Sequence, residues 1–228
     1  MTAPPSQQAV QQGQAVYSKK ILNIYDWLVL RISNPFIWRC RTAHIKRLYE
    51  QNLSVRHLDV GVGTGYFLDK CSFPVSYPEL VLLDMNLNCL EETSQRVMRY
   101  HPVSHQINIL EPLNVKEQPF QSIAVNYLLH CLPGSIATKS VVFDHLLPYL
   151  AKDGVIFGST LLNKGGAHNF FSRRLMSFYN DKGIFHNTED SLEELEAALA
   201  KRFKRYELKV YGVGVLFKAW NPIALPPK

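Results

Sequence analysis

A chain of 228 residues, 46% hydrophobic and 19% charged, has the length and composition of one globular domain with an ordinary core. This excludes a disordered chain or a small fold that depends on staples. Four scattered cysteines (Cys40, Cys71, Cys89, Cys131) form no Cys-x-x-Cys pair, which argues against zinc. With no signal peptide and no long apolar span, the expectation is a reduced, cytoplasmic setting without membrane contact. The net charge of +6 gathers between Ser18 and Arg56, where Lys19, Lys20, Arg31, Arg39, Arg41, Lys46, Arg47 and Arg56 oppose Asp26 and Glu50. A solvated helix face explains this more simply than an anionic partner such as an acidic substrate, a phosphopantetheine-bearing carrier or RNA. The aromatics interleaved there have helical spacing, which suits a core or a lid better than a platform for stacked bases.

In chain order, residues 1–14 are an uncharged Pro/Gln/Ser/Ala tract, expected as a tail. Residues 16–30 carry a helical stripe (Ile21, Ile24, Tyr25, Leu28, Val29), Asn34-Pro35 breaks it, and residues 36–51 read as a second helix. Next comes the most informative stretch, His57-Leu58-Asp59-Val60-Gly61-Val62-Gly63-Thr64-Gly65-Tyr66. An apolar strand breaks into three alternating glycines and then a helix, a loop that lets a ligand approach the backbone and meet free N–H groups. The dinucleotide fingerprint needs Gly-x-Gly-x-x-Gly, but Tyr66 stands where its third glycine belongs, and no P-loop Gly-Lys-Ser/Thr follows.

A second apolar strand, residues 79–83, ends in Asp84, which lies 84 − 65 = 19 residues after the last glycine. An acid at this strand tip is placed to hydrogen-bond a ribose. A fourth strand at 122–126 ends in Asn126-Tyr127, and a helix at 136–150 leads into a fifth strand at 153–160. Residues 161–191 are a long connection, expected as a pocket-building insertion. Asp190 or Ser191 caps a helix at 192–202. A final hairpin spans 205–218, turns at Gly212 and Gly214, and is followed by a proline-rich tail at 219–228.

The order Asp-x-Gly-x-Gly-x-Gly, strand-tip acid and fourth-strand turn resembles the class I S-adenosylmethionine (SAM) methyltransferases over about residues 50–160. The resemblance implies an α/β fold: a doubly wound, mostly parallel seven-stranded sheet with an antiparallel last strand, helices on both faces and an N-terminal helical lid. One domain is expected over residues 15–218, with the N-terminal helices at 15–52. The implied cofactor is SAM, released as S-adenosylhomocysteine. Its implied contacts are Asp59 at the ammonium end, Gly61, Gly63 and Gly65 beneath it, Asp84 at the ribose and Met85 beside the adenosine. Asn108 and Ile109 would flank the adenine, with Asn126 near the methyl group and Tyr17 in the lid. Asn108 stands where the family usually has Asp. Asn126 lacks the prolines of the base-modifying amino-methyltransferases, which argues against nucleobase N-methylation.

Methyl transfer needs an acceptor held close and, for an O–H or C–H acceptor, removal of a proton. His130, one helical turn past the fourth strand, is the candidate base, and Tyr127 the candidate to orient the acceptor. Trp38, His168, Phe171, Phe185 and His186 are candidate substrate contacts, and no metal is expected. The aromatic content favours a small apolar or aromatic acceptor, and the resemblance implies a tailoring enzyme of secondary metabolism that methylates O, N or C of an aromatic or polyketide-like molecule. A carrier or partner protein is left open, as are a SAM-binding protein that transfers no methyl, a SAM-assisted cyclase and an RNA methyltransferase.

Overall fold

The computed structural model of the chain describes residues 33–223. Tyr17 and the expected helix at 16–30 lie outside the described residues. A single π turn at 33–37 replaces the expected start of the second helix, which begins later as α1 (Thr42–Asn52). Then follow β1 (Arg56–Val60), α2 (Tyr66–Lys70), β2 (Glu79–Asp84), α3 (Leu87–Arg96), β3 (Val103–Gln106) and β4 (Phe120–Asn126). The expected helix before the fifth strand divides into α4 (Ile136–Lys139) and α5 (Val141–Leu146), followed by β5 (Leu150–Leu161). The insertion carries α6 (Phe170–Asp181), and α7 (Leu192–Ala200), β6 (Phe203–Tyr211) and β7 (Gly214–Pro222) close the chain. The last strand runs beyond the expected Lys218, because Ala219 and Trp220 still pair with Ile156 and Val155 of β5.

The seven strands stand in the order β3-β2-β1-β4-β5-β7-β6. All pairings are parallel except those of β7, which runs antiparallel to both β5 and β6. The alternation of β2 shows how the sheet is wound on both faces. Leu80 and Leu82 pack with Ile45, Phe67 and Leu90 from α1, α2 and α3, whereas Val81 and Leu83 join Phe143, Leu146 and Leu199 from α5 and α7. The chain leaves β1 in opposite directions towards β2 and, later, β4. A crevice therefore opens beyond the carboxyl ends of these two strands, the place where open α/β sheets bind ligands.

The insertion is fastened from two sides. The Asn169 side chain caps α6 by accepting from the Ser172 N–H, and Ser172 answers to the Asn169 N–H (both 2.8 Å). At its far end Asp190 does not cap α7. That role falls to Ser191, whose hydroxyl accepts from the Glu194 N–H. Asp190 turns inward instead and forms a wholly buried ion pair with Lys139 of α4 (2.6 Å), while Lys139 also donates to the carbonyl of His186 (2.9 Å). Burial pushes the Lys139 ammonium down and the Asp190 carboxyl up to about 6, and each charge opposes its partner's shift. Substituting Lys139→Met strands a carboxylate in the core and is expected to cost ~3–5 kcal/mol of unfolding free energy in urea titration. The double variant Lys139→Met/Asp190→Leu is expected to recover most of that loss.

Candidate active site

The cleft at the β1/β4 crevice is built on the glycine loop. Gly63 has φ +55°, and a Cβ placed on it would meet nothing within 4 Å, so the backbone here faces open space that a side chain would fill. Gly65 (φ +71°) closes the loop against α3, where a Cβ would stand 2.7 Å from Thr93. The Thr93 hydroxyl donates to the Gly63 carbonyl (3.1 Å) and fixes the turn from behind.

Two carboxylates face this loop. Asp84, at the tip of β2, accepts from the backbone N–H of Asn86 (2.8 Å) and from those of Gly63 and Val62. Burial lifts its pKa to about 6; those N–H groups pull it down, and the nearby Asp59 charge adds to the rise. Asp59, on β1, accepts from the Tyr49 hydroxyl (3.0 Å) and has the His57 Nε2 3.6 Å away. Burial first, then the Asp59 charge and hydrogen bond, hold the Tyr49 phenol well above its ordinary range, so it remains a donor.

The structure brings Asp59, Gly61, Gly63, Gly65, Asp84, Met85, Asn108, Ile109, Asn126 and Tyr127 to one cleft. Asn108 is more committed than its sequence suggests. Its amide oxygen accepts from the Leu110 N–H (3.1 Å) and its amide nitrogen donates to Glu111 (3.0 Å). Asn126 accepts from the Ser159 hydroxyl. Tyr127 sits in the left-handed region (φ +52°), held by its N–H to the Ser159 carbonyl (2.7 Å) and its hydroxyl to the Asn34 Oδ1 (3.1 Å). That conformation is costly for a bulky residue and is typical of strained positions at ligand sites.

His130 departs from the expectation. It is buried in the core and does not line the cleft; its Nδ1 lies 3.2 Å from the Thr160 hydroxyl, and its ring meets Phe185 edge-on at 4.6 Å. Burial, with Lys139 nearby, lowers its pKa to about 3, which makes it a poor proton acceptor at neutral pH. Trp38 and Phe185 likewise form a packed cluster with Met176 and Val213 behind Tyr127. His168 bonds the Leu162 carbonyl (3.1 Å), His186 gives its N–H to the His130 carbonyl (2.8 Å), and Phe171 lies exposed on a separate groove along α6. None of these five residues lines the cleft at the glycine loop. Its outer wall is instead Leu128, Cys131, Leu132 and Pro133, which follow Tyr127 in sequence. Among the described residues no group of three or more His, Cys, Asp or Glu side chains is arranged to hold a metal, and no helix is long and apolar enough to cross a membrane.

The cleft fits SAM: an open glycine cradle lies between two carboxylates, one at the strand tip that suits a ribose and one beside the loop that suits a cation. Residues 38–204 match a family described as a methyltransferase domain. The chain is 40% identical to demethylluteothin O-methyltransferase of Streptomyces thioluteus over 94% of its own length and 93% of that protein's. It is 37% identical to the physcion biosynthesis cluster O-methyltransferase of Aspergillus chevalieri, over 96% and 99%. Among solved structures, a DhpI–S-adenosylhomocysteine complex superimposes with a TM-score of 0.66 at 14% identity, covering 96% of this chain and 98% of that one. The N-methyltransferase NodS of Bradyrhizobium japonicum, bound to S-adenosylhomocysteine, gives 0.59 at 16%, covering 94% and 97%. The chain belongs to the class I SAM-dependent methyltransferases.

Proposed function

We propose that the protein methylates an oxygen atom of a small apolar metabolite, aromatic or polyketide-like, in a cytoplasmic setting. The observation that carries this reading is the near-full-length likeness to O-methyltransferases of metabolite biosynthesis. The apolar wall of Leu128, Cys131, Leu132 and Pro133 beside Tyr127 supports it, since it offers the acceptor surface rather than charge.

Bound SAM supplies a methyl group already activated by its sulfonium, so the chain's part is to hold, orient and exclude. In this reading Asp84 accepts from the ribose hydroxyls and Asp59 faces the ammonium. Met85 and Ile109 enclose the adenosine with Asn108 at its edge, and Asn126 and Tyr127 border the methyl group. Among the described residues the cleft lining carries no histidine. The acceptor best suited to it is one that ionises readily by itself, a phenol or an enol, brought into line by the wall. Labelled SAM incubated with a panel of phenols, enols, amines and bulk RNA tests this. An O-methyl product from a phenol or enol is expected, and faster transfer to amines or RNA overturns the reading.

Two residues give sharper predictions. Asp84 accepts from a ribose when ionised, so SAM affinity is expected to be level well above pH 6. Below pH 6 it should weaken by about tenfold for each further unit as the carboxyl takes up its proton. Calorimetry across pH measures this, and Asp84→Asn should bind more weakly with a flat profile. His130→Gln is expected to keep kcat within a few-fold and leave its pH profile unmoved, whereas removal of a true general base would cost about 10²-fold or more.

A further inference from the structure

Behind Asp59 runs a buried polar chain that the proposed chemistry does not use. The His57 Nδ1 lies 2.7 Å from the Ser122 hydroxyl, and Ser122 lies 2.6 Å from the Ser54 hydroxyl. Ser54 in turn is 2.8 Å from the Arg56 carbonyl. His57 and Ser122 are wholly buried, and Asp59 nearly so. The order carboxylate, imidazole, hydroxyl is that of a nucleophilic triad, but a wholly buried Ser122 admits no substrate. The His57 Nε2 is a buried atom with no hydrogen-bond partner, and the carboxylate beside it is Asp59, at 3.6 Å. Phe73 and Phe157 pack against the imidazole and leave it no other polar outlet on that side.

Counting protons along this chain separates two arrangements. If Ser54 gives its proton to the Arg56 carbonyl, Ser122 donates to Ser54 and the imidazole must donate to Ser122, which turns a bare Nε2 lone pair towards the Asp59 carboxylate. If Ser54 instead donates to Ser122, Ser122 donates to Nδ1, and Nε2 carries its hydrogen towards Asp59; what is given up is the hydrogen that Ser54 otherwise donates to the Arg56 carbonyl, at the half-buried end of the chain and not beside the buried carboxylate. Only the second arrangement favours the carboxylate. The 3.6 Å gap is of the kind that closes when a ligand completes a site.

We propose that His57 is a positioning residue for the amino-acid end of SAM. Through the relay Ser54, Ser122 and His57, its Nε2–H holds the Asp59 Oδ2 together with the Tyr49 hydroxyl and so sets the carboxylate for the ligand's ammonium. This rests on the reading that Asp59 faces that ammonium, and the experiment separates the two. Calorimetry compares S-adenosylhomocysteine with 5′-S-(3-carboxypropyl)thioadenosine, the same molecule without its amino group. In Asp59→Asn the preference for the aminated ligand is expected to collapse; if it persists, the reading of Asp59 itself falls. In His57→Phe the aminated ligand is expected to lose about tenfold while the other stays within about twofold. His57→Gln, whose amide can donate from a similar place, should restore most of the preference. Equal weakening of both ligands, or no change in either, overturns the role of His57. Should His57→Phe not fold, Ser122→Ala carries the test, with a smaller loss in the same direction expected and unchanged preference counting against the relay.

Discussion

The Asp84 carboxylate ties the tip of one strand to the loop that leaves its neighbour. By accepting from the N–H groups of Val62 and Gly63 it fixes the glycine turn, and by accepting from Asn86 it fixes the start of α3. Both elements are short and would otherwise end in unpaired backbone donors. In the proposed reading the same group also meets the ribose of the cofactor. Its raised pKa comes from burial, with the Asp59 charge adding to it, against the downward pull of those three N–H groups. The rest of the cleft is arranged around that point: Thr93 behind the loop, Cys89 and Met85 on the α3 side, Asp59 and Tyr49 across it.

How much of this was legible in the sequence depends on how local each signal is. The glycine spacing, the acid before it and the acid at the second strand tip are short-range patterns whose geometry follows from one strand–turn–helix unit. All the cleft residues they indicated within the described part of the chain meet at one place. The unbroken apolar run Leu80 to Leu83 is likewise legible as a strand, and the structure covers it on both faces. His130 stands out in the sequence by following the fourth strand, Trp38 as an aromatic of the helices before the sheet and Phe185 as an aromatic of the long insertion. Whether such a ring points into a cleft or a core is decided by what the insertion packs on top of it, which no local pattern records. The Lys139–Asp190 pair is hidden for the same reason: Lys139 looks like an ordinary surface charge and Asp190 like a helix cap until α4 and the end of the insertion are brought together.

His57 carries a local signal of its own. It alternates with Asp59 on β1, so both side chains point to the same face of the sheet. A histidine in a wholly buried strand needs partners, and a carboxylate two residues on is an obvious one. The serine on the adjacent strand could be found only from the register that sets His57 opposite Ser122.

Tyr127 shows how the cleft wall is joined to the chain that precedes the sheet. A tyrosine in the left-handed region is uphill by roughly 1–2 kcal/mol, and an unconstrained strand end would relax. Here its N–H is bound to Ser159 and its hydroxyl to the buried Asn34, which in turn donates to the Thr42 hydroxyl at the start of α1 (3.2 Å). The segment holding Asn34 is pinned from the other side, where the Trp38 carbonyl accepts from the Val213 N–H (2.8 Å) at the β6–β7 turn. The cleft wall at Tyr127 is therefore set by three distant parts of the chain: the β4 tip, the residues before α1 and the last hairpin. In the proposed reading a change in any one of them alters the shape offered to the acceptor, and the β4 tip also reaches the glycine loop, where the Leu128 side chain leaves no room for a Cβ on Gly61.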